Sequence, residues 1–226
     1  MGSTISLTSS DGFQLSAYHA EAEGRPRGGV VVVQEIFGVN DHIRSVVDRY
    51  AAAGYLAIAP AIFDRERPGI ELGYTEDDIA AGRDIARVKL DFQTILADVA
   101  AAGNVAAEAG KVGVVGYCLG GSLAWLAATR LPGFAAAVGY YGGLIAAHLD
   151  ETPRCPVMLH FGEEDRGISM DDVARIKAEA DPALVQVFTY PGAGHAFNRE
   201  ASTAWHEPSA KLARERTLAF LREHVG

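Results

Sequence analysis

Short buried strands alternate with helices through most of the chain, and this alternation constrains the fold more than any other feature. The continuous β-branched run Val30–Val33 is typical of a strand covered on both faces. Further strands are predicted at Tyr55–Ala59, Val112–Val115, Ala135–Tyr140, Val157–Phe161 and Val185–Tyr190, with helices near residues 41–53, 75–102, 119–130, 170–180 and 208–223. The pattern predicts an α/β protein with a mostly parallel sheet and helices on both faces.

Two local features refine this prediction. The opening segment Ile5–His19 alternates around the turn dipeptide Asp11-Gly12, which indicates an antiparallel hairpin at the edge of the sheet. The helical pattern that begins at Thr75 is unusually long, so we expect a break near Gly82 or Asp91. Ligands of such sheets bind beyond the carboxyl ends of the strands, and candidate site residues are therefore sought just after a strand.

Size and composition limit the function classes. The 226 residues suit a single domain spanning residues 1–226, and a net charge of -9 disfavours nucleic acid and anionic membranes as partners. The segment Met1–Ala20 lacks the pattern of a signal peptide, and no apolar run is long enough for a membrane span. Cys118 and Cys155 are too few for a disulfide framework and indicate free thiols in a reducing, cytoplasmic compartment.

A candidate nucleophile lies where a buried strand runs into a helix. The segment Gly116-Tyr117-Cys118-Leu119-Gly120 has the G-x-nucleophile-x-G spacing of a nucleophile elbow, with Cys in place of Ser. The first turn of the following helix leaves the Leu119 amide free to donate and favours a thiolate or oxyanion nearby. The alternative is a small buried cysteine in an ordinary strand-to-helix turn.

An elbow nucleophile requires an acid and a histidine later in the chain, in that order. His195 follows the strand that ends at Tyr190 and lies in a small, glycine-rich loop. Asp165 follows the preceding strand and is the best placed acid, although Glu163 and Glu164 remain alternatives on spacing alone. A carboxylate here would fix the imidazole tautomer and stabilise its charged form.

A fourth element follows the strand Val30–Val33. The segment continues Gln34-Glu35-Ile36-Phe37-Gly38, at the place where acyl-transfer enzymes of this architecture supply the second oxyanion donor. The amide of Ile36 is the candidate donor, and Phe37 is a candidate substrate contact. Glu35 would point near the nucleophile and could take the thiol proton, or it could form an ordinary surface salt bridge.

Four segments resemble the dienelactone hydrolase (carboxymethylenebutenolidase) family: Gln34–Asn40, Gly116–Gly121, Gly139–Gly142 and Gly192–Phe197. The resemblance extends over nearly the whole chain. It implies an α/β-hydrolase fold without a large cap domain, and chemistry that needs no cofactor and no metal. Tyr140, at a strand end, matches a family tyrosine near the site.

The same resemblance implies how the site would work. It implies a triad of Cys118, His195 and Asp165, with an oxyanion hole formed by the amides of Ile36 and Leu119. In the family, substrate binding moves a glutamate, here Glu35, which deprotonates the cysteine. The thiolate then pairs with the imidazolium, attacks the lactone carbonyl and forms an acyl-enzyme that water releases. The family substrate is a dienelactone, and the product is maleylacetate.

Substrate contacts match the family only in part. Arg199 matches one of the arginines that bind the substrate carboxylate. Counted without gaps, the second arginine and a nearby tyrosine fall at Ala80 and Asp84, which are poor carboxylate ligands. Arg83 is the expected substitute from a shifted position, with Arg87 as an alternative.

The sequence therefore predicts a monomeric, cysteine-dependent hydrolase of lactones or carboxylic esters, acting on a small molecule. Within the same class, a short-chain carboxylesterase or a thioesterase is the alternative. Two alternatives belong to other functional classes: a catalytically silent binding protein, and a redox thiol protein using Cys118 and Cys155. The absence of a C-x-x-C motif disfavours the redox interpretation.

Overall fold

The computed structural model describes residues 2–200 and 202–226 and contains one sheet of eight strands. The strands follow the spatial order β1-β2-β4-β3-β5-β6-β7-β8. Their bounds are β1 Ser3–Thr8, β2 Gln14–Ala20, β3 Gly29–Val33, β4 Leu56–Pro60, β5 Val112–Tyr117, β6 Phe134–Tyr140, β7 Val157–Gly162 and β8 Val185–Tyr190. Strand β2 pairs antiparallel with β1 and β4, whereas all other neighbours pair in parallel. The predicted α/β class, with its hairpin at the edge, is confirmed.

The described residues form six α-helices around the sheet. They are α1 Asp41–Ala52, α2 Glu76–Asp84, α3 Phe92–Ala106, α4 Leu119–Arg130, α5 Met170–Glu179 and α6 Glu207–His224. In β3, β5 and β7 every residue is buried, as expected for central parallel strands with helices on both faces. None of the helices in the described ranges combines the length and apolar character needed to cross a lipid bilayer.

The long helical pattern after Thr75 is broken at one of the two expected positions. Gly82 continues inside α2, whereas Asp91 begins α3 as its N-cap and accepts hydrogen bonds from the amides of the next turn. Between them, Ile85–Lys89 forms a π-helical turn, which hydrophobic periodicity did not indicate. The extended backbone at Asp91 separates the two helices because its carboxylate satisfies amides that a continuous helix would bond internally.

The register brings the carboxyl ends of three central strands to one edge. Val33 of β3 lies opposite Gly116 of β5, and Tyr117 lies opposite Tyr140 of β6. The segments that follow these strands carry Glu35, Cys118 and Tyr141. The sheet therefore positions the candidate site at the edge where parallel sheets bind ligands.

A buried ion pair joins the turn after β4 to α3. The Arg65 guanidinium donates two hydrogen bonds to Asp98, at 2.6 and 2.7 Å, and also contacts Asp11 in the β1–β2 turn. The Asp98 side chain is fully buried. Its charge therefore depends on Arg65 for compensation.

A chain of buried hydrogen bonds lies between the sheet and α6. The ring nitrogens of His160 lie 2.8 Å from the Tyr190 hydroxyl and 3.1 Å from the Thr217 hydroxyl, which is itself 2.7 Å from the Tyr140 hydroxyl. Burial, with a smaller effect of the Arg216 charge, lowers the pKa of His160 from 6.5 to about 3. His160 is therefore neutral in the folded protein at neutral pH.

Candidate active site

Cys118 lies at the sharp turn between β5 and α4. Its backbone has φ 54° and ψ -112°, a strained conformation for a residue with a side chain. A Cβ atom on Gly116 would lie 1.8 Å from the Gly120 carbonyl oxygen, and one on Gly120 would lie 2.2 Å from the Val33 carbonyl oxygen. Both glycines are thus required by close backbone contact, which explains the G-x-C-x-G spacing.

The cysteine, a histidine and an aspartate form a connected row. His195 Nε2 lies 3.2 Å from Cys118 Sγ, and Nδ1 donates to Asp165 Oδ2 at 2.7 Å. Of the three acids after β7, only Asp165 is buried, and Glu163 and Glu164 are exposed. The structure thus brings together three side chains separated widely in sequence, in the arrangement of a nucleophile, a base and an orienting acid.

Further hydrogen bonds hold this row in place. The Asp165 side chain is 1% exposed and accepts from the amides of Gly167 and Ile168 at 2.8 and 3.2 Å. Burial alone would lower the pKa of His195, but its contacts with Asp165 and Cys118 outweigh burial and raise that pKa to about 10. The imidazolium form is therefore stabilised next to the thiol.

Glu35 is a buried carboxylate beside this row. It is 1% exposed, and neither carboxylate oxygen has a hydrogen-bond partner within the described part of the chain. Its nearest cation is Arg199, whose Nε lies 3.8 Å from Oε2. Burial raises the pKa of Glu35, while the charges of Arg199 and His195 oppose the rise. A carboxylate with these properties is a stronger base than an ordinary surface glutamate, and it makes no hydrogen bond to Cys118 in this conformation.

The two expected oxyanion donors are both free. Among the described residues, no acceptor bonds to the amide of Ile36 or to that of Leu119. The Gly120 amide donates to the Gln34 carbonyl at 3.1 Å and so joins the elbow to the end of β3. Helix α2 crosses the same loop, since a Cβ atom on Gly82 would lie 2.1 Å from the Ile36 carbonyl oxygen. Both amides are consequently fixed by backbone packing, as an oxyanion hole requires.

Arg199 lies between two aromatic rings. Its guanidinium carbon is 5.0 Å from the Phe37 ring centre and 4.4 Å from that of Tyr74, and these rings meet edge to face at 4.9 Å. Its Nε is buried without a hydrogen-bond partner in the described residues. Sequence reasoning selected Phe37 and Arg199 but missed Tyr74, because a tyrosine in a loop carries no motif.

Tyr140 and Arg83 are the two remaining residues that the sequence predicts as substrate contacts. The Tyr140 side chain is buried, and its hydroxyl lies 2.7 Å from that of Thr217 on α6. The next residue, Tyr141, has φ 40° and its ring centre lies 5.1 Å from that of His195. Arg83 is exposed, and no carboxylate pairs with it in the described ranges. Arg83 follows Gly82 and so lies on the helix that crosses the Ile36 loop.

Among the described residues, no group of three or more His, Cys, Asp or Glu side chains is arranged to hold a metal ion. Cys155, the second thiol, is buried, and burial raises its pKa to about 11. It is therefore far less reactive than an exposed cysteine.

Comparison with known proteins agrees with this geometry. The profile of the dienelactone hydrolase family matches residues 15–225. A carboxymethylenebutenolidase of Pseudomonas putida is 35% identical and covers 96% of this chain and 94% of its own length. A Synechocystis protein provisionally given the same name is also 35% identical, covering 92% of this chain and 91% of its own length.

A solved structure is similar over the whole fold. It belongs to a Klebsiella pneumoniae protein provisionally named a dienelactone hydrolase, with a TM-score of 0.82 and 32% identity. The match covers 98% of this chain and 100% of that one. The resemblance noted from four sequence segments is confirmed, and with it the α/β-hydrolase fold.

Proposed function

Because this chain belongs to the dienelactone hydrolase family of hydrolases, we propose that it cleaves lactones or carboxylic esters through the Cys118 thiolate. The observation that carries the proposal is the continuous row from Asp165 through His195 to Cys118, with contacts of 2.7 and 3.2 Å. Hydrolysis of a dienelactone to maleylacetate is the leading reaction.

The proposed reaction begins with the substrate carboxylate binding Arg199. This draws the guanidinium from Glu35, whose raised pKa then lets it take the proton from the Cys118 thiol. The thiolate lies beside the His195 imidazolium and attacks the lactone carbonyl. The amides of Ile36 and Leu119 stabilise the resulting oxyanion.

The later steps restore the starting protonation of His195, Glu35 and Cys118. The carbon–oxygen bond of the lactone breaks, and the leaving oxygen takes a proton from His195. Neutral His195 then removes a proton from water, which attacks the thioester. The thiolate leaves with its electron pair, and Glu35 finally returns the proton to Cys118.

Hydrolysis of cis-dienelactone and p-nitrophenyl acetate by the wild type, Cys118→Ser and Cys155→Ala tests this proposal. We expect Cys118→Ser to lower kcat by a factor of about 10³ or more and Cys155→Ala to leave it unchanged. Full turnover in Cys118→Ser would contradict the cysteine mechanism.

A second candidate function is hydrolysis of small neutral esters. It is favoured by Ala80 and Asp84 at the positions where the family would supply further carboxylate ligands. Arg199→Gln distinguishes the two candidates. It should raise KM for dienelactone about tenfold if Arg199 binds the substrate carboxylate, and should leave KM for p-nitrophenyl acetate unchanged.

We also propose that the protein acts as a monomer in a reducing, cytoplasmic compartment. Both cysteines are unpaired, and a nucleophilic thiol requires reducing conditions. Size-exclusion chromatography with light scattering would show a mass near 23.9 kDa, whereas a mass twice as large would contradict the monomer.

A further inference from the structure

A cavity of about 140 Å³ lies on the α6 side of the nucleophile strand, and no triad residue lines it. Its walls come from α1, from the ends of β5 and β6, and from α6 with the segment that precedes it. The proposed hydrolytic reaction does not use this cavity.

The floor of the cavity includes a pair of buried tyrosine hydroxyls. The oxygens of Tyr50 and Tyr117 lie 3.2 Å apart, and both side chains line the cavity. Two hydroxyls carry two hydrogens, but their mutual bond uses only one. The other hydrogen has no acceptor within the part of the chain that the structure describes. An occupant with an oxygen acceptor would satisfy this donor.

The rim of the cavity carries more positive than negative charge. Arg49 pairs with Glu200, which also lines the cavity, whereas Lys211 pairs with Glu207 at 2.6 Å. Arg214 forms no ion pair with any described residue.

Arg214 is an exposed residue that lines the same cavity as the two tyrosines. Burial raises the pKa of Tyr50 well above its ordinary value and raises that of Tyr117, and the Arg214 charge opposes both changes. The guanidinium charge therefore acts on the hydroxyl pair that has one hydrogen without an acceptor among the described residues. A cation and a free hydroxyl donor facing one cavity favour a carboxylate as occupant.

Apart from Asn198, apolar and aromatic groups form the remaining walls. Trp205, Val46 and Ala210 line the cavity beside the tyrosine rings. A flat apolar body can stack on such aromatic walls while its carboxylate meets the donors. We propose that this cavity is a second binding site, separate from the triad, for a small aromatic carboxylate.

The test uses benzoate as the probe and tryptophan fluorescence as the signal. The chain has two tryptophans, of which Trp125 is buried elsewhere and Trp205 lines the cavity. We expect benzoate to cause a saturable change in the tryptophan fluorescence of the wild type, and we expect Trp205→Phe to abolish this change. Benzamide, which has the same ring without the charge, should bind about tenfold more weakly.

Three arginine variants locate the site. Arg214→Gln should weaken benzoate binding about tenfold. Arg222→Gln, the same charge change on α6 outside the cavity, and Arg199→Gln, in the catalytic site, should leave it unchanged. Melting curves verify that each variant is folded.

The proposal is overturned if benzoate gives no saturable signal. It is also overturned if benzamide binds equally well, or if Arg199→Gln weakens binding while Arg214→Gln does not. None of these readouts uses turnover, so failure here leaves the proposed hydrolase function standing.

Discussion

His160 makes folding stability depend on pH in a direction that can be calculated. Its pKa is about 3 in the folded protein and 6.5 when exposed in the unfolded chain. Because the folded pKa is depressed, the unfolded state binds the proton more strongly. The stability contributed by neutral His160 is complete above 6.5 and is lost as the pH falls below that value.

The size of the effect follows from this difference. At about pH 5 the unfolded chain is almost fully protonated at this position while the folded protein is not, which costs about 2 kcal/mol of unfolding free energy. Replacing His160 with Gln removes the titration but keeps groups that can bond to the Tyr190 and Thr217 hydroxyls. We expect His160→Gln to be less stable at neutral pH by about 1–3 kcal/mol.

Urea unfolding followed by tryptophan fluorescence measures both quantities. Between neutral pH and about pH 5, the loss of unfolding free energy should be smaller in His160→Gln than in the wild type by about 2 kcal/mol. Other histidines titrate in both proteins, so their contributions cancel in this comparison. Equal losses in the two proteins would refute the assignment of a neutral, buried His160.

Three further substitutions test separate parts of the structure. Glu35→Gln should lower turnover of cis-dienelactone while raising the free energy of unfolding by about 1 kcal/mol, because it removes a buried and poorly compensated charge. A lower free energy of unfolding in urea would contradict this reasoning. Gly120→Ala should destabilise by about 1–3 kcal/mol, since its Cβ would collide with the Val33 carbonyl, and an unchanged melting temperature would oppose that reasoning. Arg65→Met should lower the free energy of unfolding in urea by about 3–5 kcal/mol, because it leaves Asp98 buried without its cation. A loss below about 1 kcal/mol would contradict this and would show that water reaches the carboxylate.

The nucleophile turn and the order of the triad residues could be predicted from the sequence, because they depend on contacts within one turn and on the order of the strands. The spacing Gly116-x-Cys118-x-Gly120 follows from backbone contacts within a single turn, and the order of nucleophile, acid and histidine follows from the strand order. The choice of Asp165 over Glu163 could not be made from the sequence in this way. It depends on which carboxylate the turn after β7 buries against two amides, and spacing left this open.

The substrate contacts were harder to predict from the sequence. Tyr140 and Tyr141 are adjacent and chemically identical, but Tyr140 ends β6, whereas Tyr141 follows the strand with φ 40° and its ring centre lies 5.1 Å from that of His195. The backbone conformation of the turn after β6 places the Tyr141 ring beside His195, and no sequence motif marks that conformation. Tyr74 was missed for a related reason, since its contact with Arg199 depends on how a loop folds over the sheet.

The geometry of the triad has a consequence for folding kinetics. His195 is 77 residues from Cys118 and 30 from Asp165, so both contacts close long loops. Parallel strands pair only non-locally, and such contacts form slowly because chain entropy is lost before they stabilise the protein. The contact between Cys118 and His195 requires the segment after β5 and the segment after β8 to be held in place by the sheet, so we expect turnover to return late in refolding.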